Sequence, residues 1–157
     1  MAERVVLACV GAGRWGRNLV RVFDSLPDVE LAVVCDVSED IRRELKQQYP
    51  EVKVTADYGE VLANKQIQAV VLAVPAVDHY PAARQALEVG KHVYVEKPIS
   101  LSYDHARRLT ELAESLSLVL MVGHLMEYHP ALRLLKQLVD AGELGEILYL
   151  YSERVNL

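Results

Sequence analysis

Residues Val5 to Gly16 read V-V-L-A-C-V-G-A-G-R-W-G, and this stretch decides the fold. The apolar run Val5 to Val10 has the length and continuity of a strand buried on both faces, as strands of parallel sheets are. Beyond the glycines, Leu19, Val20, Phe23 and Leu26 recur at helical spacing. The G-x-G-x-x-G at Gly11, Gly13 and Gly16 therefore falls where a strand hands over to a helix. There Gly11 permits the tight turn, Gly13 lets a pyrophosphate approach the backbone, and Gly16 lets helix and strand pack closely. The helix N-terminus adds unpaired N–H groups and a positive dipole end. The next strand, Leu31 to Cys35, ends at Asp36, which lies 20 residues beyond Gly16, the spacing of an acid that accepts the ribose hydroxyls.

The remaining chain continues the alternation. Ser38 is placed to cap a helix with Ile41, Leu45 and Tyr49 inward, stopped by Pro50. Val52 to Thr55 reads as a third strand, Tyr58 to Ala63 as a brief helical turn, and Ala69 to Val74 as a fourth strand broken by Pro75. Asp78 is expected to cap a helix whose inner face carries Ala82, Ala83, Ala86 and Leu87 and which ends at Gly90. His92 to Glu96 is a fifth strand closed by Pro98. Ser102 is expected to cap a helix bearing Ala106, Leu109, Ala113 and Leu116, and Val119 to Val122 is a sixth strand. The pattern predicts an α/β fold, a doubly wound parallel sheet of the Rossmann type with strand order 3-2-1-4-5-6. Residues 1–122 form this dinucleotide-binding domain. Residues 123–157 read as the opening helix and strand of an incomplete second domain: a helix from Pro130 to Gly142, then a strand over Ile147 to Tyr151.

Composition narrows the function classes. A formal net charge of −5 argues against non-specific nucleic-acid binding. No apolar run reaches the about 18 residues needed to span a bilayer, and the opening M-A-E-R-V-V-L lacks the features of a signal peptide. A cytoplasmic protein without membrane partners is expected. Cys9 and Cys35 read as small core residues, and no His, Cys and carboxylate set has metal-ligand spacing.

Five segments follow one another in the order and spacing of a known family: G-A-G-R-W-G-R-N-L-V-R, C-D, A-V-P-A-V-D-H-Y-P-A-A, G-K-H-V-Y-V-E-K-P-I-S and V-G-H-L-M-E-Y-H-P-A. The chain resembles the Gfo/Idh/MocA oxidoreductases, which take their name from glucose–fructose oxidoreductase and inositol dehydrogenase. The resemblance implies a hydride exchanged between NAD or NADP and a hydroxyl or ketone of a sugar, inositol or sugar nucleotide. Family chains are about twice as long, with a second domain of open sheet that carries most of the substrate pocket and a catalytic histidine. The alternative is a non-catalytic dinucleotide-binding module left by truncation of such an enzyme.

The resemblance also assigns residues. Lys97, after a strand and before a rigid proline, corresponds to the family lysine that hydrogen-bonds the reacting hydroxyl, and is the expected catalytic residue; burial beside the nicotinamide is expected to aid it. Cofactor contacts are expected from Gly11, Gly13, Arg14, Trp15, Gly16, Asp36, Pro75, His79, Glu96, Lys97 and His124. Asp36 favours NAD over NADP by repelling a 2′-phosphate, tempered by Arg42 or Arg43 if either folds back. Several alternatives stand beside these roles: Lys97 is a surface lysine paired with Glu96, and Asp36 a plain helix-capping residue. Trp15 shields the pyrophosphate or packs on the first helix, and His79 meets the cofactor or packs in the helix first turn. Glu96 braces its loop or touches the nicotinamide ribose. His129 reads as an N-terminal helix residue and His92 as half-buried and structural, while Glu127 stands where relatives carry an arginine. The apolar stretch Leu144 to Tyr151 predicts a homo-oligomer.

Overall fold

The computed structural model describes residues 4–153 and 155. Its first compact unit, residues 1–123, is built on six parallel strands: β1 (Val5–Val10), β2 (Val29–Cys35), β3 (Lys53–Thr55), β4 (Ala69–Leu72), β5 (His92–Val95) and β6 (Leu120–Val122). Their order is β3-β2-β1-β4-β5-β6, as the alternation predicts, so the order reverses between β1 and β4. Ligands of such sheets bind at the carboxyl ends of the strands at this reversal.

Successive side chains of β1 enter opposite cores. Leu7 and Cys9 join Leu19 and Val20 of α1 (Gly16–Asp24) and Leu45 of α2 (Glu39–Gln48) on one face. Ala8 and Val10 join Val61 of α3 (Tyr58–Ala63), Ala83 and Leu87 of α4 (Ala76–Glu88) and Leu109 of α5 (Tyr103–Ser115) on the other. Helices therefore cover both faces, and this is why the strand sequences are continuous apolar runs. Cys9 and Cys35 are free and lie in opposite cores. Burial raises the Cys9 thiol to about 12, and burial beside the Asp36 carboxylate raises Cys35 to about 11.

The helix starts hold two departures from expectation. Ser38 does cap α2, accepting the Ile41 N–H. Asp78, however, is not a cap: α4 begins earlier, with Pro75 at the cap position and its carbonyl accepting the Asp78 N–H. Asp78 sits instead in the first turn, where its charge suits the helix dipole. Ser102 occupies the cap position of α5, but its hydroxyl makes no capping bond; Ser100 Oγ donates to the Ser102 carbonyl and accepts its N–H. Lys91, which sequence periodicity passes over, is buried and donates to the carbonyls of Asn64 and Ile67 at 2.8 Å each, tying the α3–β4 connection to the start of β5. Burial lowers its pKa.

The second unit, residues 124–157, holds a 3₁₀ turn (Leu125–Tyr128) and α6 (Pro130–Asp140), which ends before Gly142 at φ +71°. The strand expected over Ile147 to Tyr151 does not form; these residues carry no regular structure and are exposed. An apolar alternating segment becomes a strand only when another strand supplies its hydrogen bonds, and no described residue of this unit does. No helix of the described residues is long and apolar enough to cross a membrane.

Candidate dinucleotide site at the carboxyl edge of the sheet

The glycine turn is shaped by close backbone approach. Gly11 has φ +86° and donates its N–H to the Cys35 carbonyl at 2.8 Å, joining the ends of β1 and β2. A Cβ at Gly11 would lie 2.5 Å from the Ala73 carbonyl oxygen, and one at Gly16 would run into the Gly11 carbonyl. Gly13 differs: a Cβ there would meet nothing within 4 Å. Two of the glycines are thus required by the fold itself, whereas the third leaves a cradle above the turn that a side chain would fill.

Asp36 follows the last residue of β2. It is 8% exposed, and Oδ2 accepts the Ala12 N–H at 2.7 Å while Oδ1 accepts the Ser38 N–H at 2.8 Å. Each carboxylate oxygen can accept twice, so one position on each remains for a ribose diol. Arg42 does fold back: Nη1 donates to the carbonyls of Asp36 and Val37 at 2.8 Å each, which sets a guanidinium beside the same turn. Arg43 instead pairs with Glu39 and Asp40 on the surface of α2.

Across β4 a second cluster forms around Glu96, itself 8% exposed. Its Oε1 accepts the Trp15 indole N–H at 2.8 Å and the Tyr94 hydroxyl at 3.1 Å, and its Oε2 accepts the Lys97 backbone N–H at 3.3 Å. A Cβ on Gly123 would lie 2.5 Å from the Tyr94 hydroxyl and 2.8 Å from Glu96, so a larger residue there would push these side-chain ends aside. Glu96 thus braces its loop, and Trp15, 46% exposed, reaches from the glycine turn to the end of β5. Lys97 is exposed rather than buried, and its ammonium makes no ion pair with Glu96, whose carboxylate takes the backbone N–H instead. The Lys97–Pro98 peptide is cis.

Pro75 and Arg14 are exposed on the same edge. His79 is 2% exposed, with Nδ1 2.6 Å from the Pro98 carbonyl and Nε2 2.9 Å from the Val74 carbonyl, so both ring nitrogens are engaged by the protein. His92 is half-buried, and its Nδ1 accepts the Val119 N–H at 2.9 Å. His124 belongs to the second unit, where it stands at the N-terminus of the 3₁₀ turn. In that unit His129 caps α6 by accepting the Ala131 N–H, and Arg133 donates to the Glu127 carbonyl and lies over the Tyr128 ring.

Residues 5–124 match the family profile described as the GFO_IDH_MocA oxidoreductase family, NAD-binding Rossmann fold. The chain belongs to the Gfo/Idh/MocA oxidoreductases. It is 32% identical over 153 residues to an uncharacterized oxidoreductase, YdgJ, of Escherichia coli, covering 97% of this chain and 43% of that protein. It is 31% identical to the scyllo-inositol 2-dehydrogenase (NAD(+)) of Bacillus subtilis, covering 95% of this chain and 44% of the relative. Among solved structures, GenD2 from gentamicin A biosynthesis, crystallised in complex with NAD, superposes with a TM-score of 0.79 at 36% identity, covering 92% of this chain and 39% of GenD2. The chain therefore spans less than half the length of these members of the family. Its glycine turn, open at Gly13, and its Asp36 carboxylate fit the NAD that the family domain binds.

The glycines separate in their expected effects. Gly16→Ala should destabilise the fold by several kcal/mol, on the scale of about 1–3 kcal/mol for overpacking and more where backbone must move. Gly13→Ala should unfold in urea as the parent does yet lose NAD binding in calorimetry. Retained NAD affinity in Gly13→Ala would remove the pyrophosphate from this turn.

Proposed function

We propose that the chain is the cofactor-binding part of an NAD-dependent oxidoreductase that exchanges a hydride with a hydroxyl or ketone of a sugar, inositol or sugar nucleotide. The observation that carries this reading is the sharing of one sheet edge: Lys97 follows β5, separated only by β4 from the glycine turn that follows β1. The NAD(+)-dependent inositol dehydrogenase among its relatives supports the substrate class. Asp36 at the adenosine ribose supports NAD over NADP, with the Arg42 guanidinium nearby as a group that could receive a 2′-phosphate.

The bound NAD supplies a hydride acceptor at its nicotinamide, and its reduced form supplies the donor. The chain's own part is to anchor the dinucleotide at Gly11, Gly13, Gly16 and Asp36 and to place the Lys97 amine at the substrate hydroxyl. In either direction the Lys97 side chain hydrogen-bonds the reacting oxygen and steadies the charge that develops on it as the carbinol C–H leaves as hydride or is re-formed, while the hydroxyl proton passes to or from solvent. The exposed position of Lys97 suits an approaching substrate, and Glu96 fixes its backbone. Trp15 stands as a wall between turn and substrate side.

Incubated with NAD and a panel of inositols, hexoses and sugar nucleotides, the chain is tested for turnover, and reduced nicotinamide formed with any of them would sink the reading of a non-catalytic module. Lys97→Met should slow that reaction by about 100-fold or more, the scale of a lost hydrogen-bond donor at a developing oxyanion. NAD binding without turnover on any substrate would favour a dinucleotide-binding module over an enzyme. The exposed apolar residues Ile147, Leu148, Tyr149, Leu150 and Tyr151 further support self-association, in which the segment pairs as a strand with its copy in a second chain. Light scattering should find a dimer for the intact chain and a monomer for one ending at Gly142; a monomeric intact chain at tens of micromolar, or equal association of both, contradicts this.

A further inference from the structure

His79 stands in the first turn of α4, nineteen residues before Pro98, yet its ring meets the Pro98 carbonyl at 2.6 Å and the Val74 carbonyl at 2.9 Å. These two carbonyls belong to different connections. Val74 lies between β4 and α4, and Pro98 follows Lys97 between β5 and α5. Carbonyl oxygens only accept, so each bond needs an N–H from the ring: the neutral imidazole supplies one, the imidazolium both. At 2% exposure the ring is withdrawn from bulk solvent. A ring so engaged cannot reach a cofactor or a substrate. Its effect must pass through the two loops it joins.

Lys97 sits at the centre of what those loops hold. Its own N–H is taken by Glu96 Oε2 at 3.3 Å, and the carbonyl of the next residue is the one that His79 grips. The lysine backbone is therefore pinned on both sides, from the glycine turn through Trp15 and Glu96, and from the β4–α4 loop through His79. An exposed lysine side chain has many rotamers, and a fixed backbone is what limits where its ammonium can go. We propose that His79 is a positioning residue for Lys97: it locks the Lys97–Pro98 turn to the Val74 loop, so that the lysine amine and the reacting end of the dinucleotide share one rigid edge. This rests on the reading of Lys97 as the group that acts at the nicotinamide.

The test labels lysine with ¹³C and follows the Lys97 side-chain signal, assigned by its absence in Lys97→Arg. The full chain is titrated with NAD and, separately, with ADP-ribose, which lacks the nicotinamide. In the parent chain NAD should move the Lys97 signal and ADP-ribose should not. His79→Phe fills the space without a donor; it should lose the NAD-induced shift and bind NAD about tenfold more weakly, the scale of a lost buried hydrogen-bond tie, while ADP-ribose affinity holds. His79→Gln, which keeps a single donor nitrogen in place of the two ring nitrogens, should fall between and carries the test if the phenylalanine variant does not fold. An unchanged Lys97 response in both variants, or equal losses for NAD and ADP-ribose, overturns the positioning role alone. A parent chain whose Lys97 signal ignores NAD overturns both that role and the functional reading beneath it. In the unaltered chain labelled with ¹⁵N-histidine, a His79 ring N–H protected from solvent exchange is expected; exchange at the solvent rate contradicts the tie without any substitution.

Discussion

The structure of the carboxyl edge depends on one buried carboxylate. Asp36 accepts the backbone N–H groups of Ala12 and Ser38 at 2.7 and 2.8 Å, one from the glycine turn and one from the start of the next helix. Hydrogen bonds to a charged group contribute roughly 1.5–3 kcal/mol each, about twice a neutral pair. With the Gly11 N–H on the Cys35 carbonyl, they fasten the β1–α1 turn against the end of β2. The turn must be held open at Gly13 and closed at Gly11 and Gly16, and a loose loop would do neither. A charge buried in this way needs its partners in place, so the Asp36 carboxylate organises the glycine turn that bonds to it.

A second carboxylate repeats the device across β4. Glu96 gathers Trp15, Tyr94 and the Lys97 backbone. Through Trp15 it reaches the same glycine turn that Asp36 holds from the other side. The turn is thus secured between two acids on strand ends that flank β1 and β4, the pair where the strand order reverses. Catalytic groups on loops gain precision only from such support, because a loop has few contacts of its own.

Much of this was legible in the sequence. Continuous apolar strands, helical spacing between them and the G-x-G-x-x-G gave the topology, because each signal follows from burial on two faces or from backbone needs. The place of Asp36 followed from spacing alone. The bonds that tie distant segments were not legible. Trp15 and Glu96 are 81 residues apart, and no periodicity says that an indole N–H will find that carboxylate. His79 carried an apolar-face position in α4 but no mark of the two carbonyls it would join. Lys91 gave no signal, since burial of a lysine depends on carbonyls supplied by another connection. The strand expected at Ile147 to Tyr151 shows the converse limit: side-chain pattern specifies which face is apolar, whereas strand formation needs a neighbour to bond to.

Asp36 holds the glycine turn and, in the proposed function, also the adenosine ribose. Isothermal calorimetry with NAD and with NADP, on the parent chain and on Asp36→Ala, tests both together. NAD should bind the parent more tightly than NADP, and the substitution should weaken NAD by about 1–3 kcal/mol and narrow the gap. Equal affinities of the parent for the two dinucleotides, or an Asp36→Ala chain that keeps its full preference for NAD, would contradict the account.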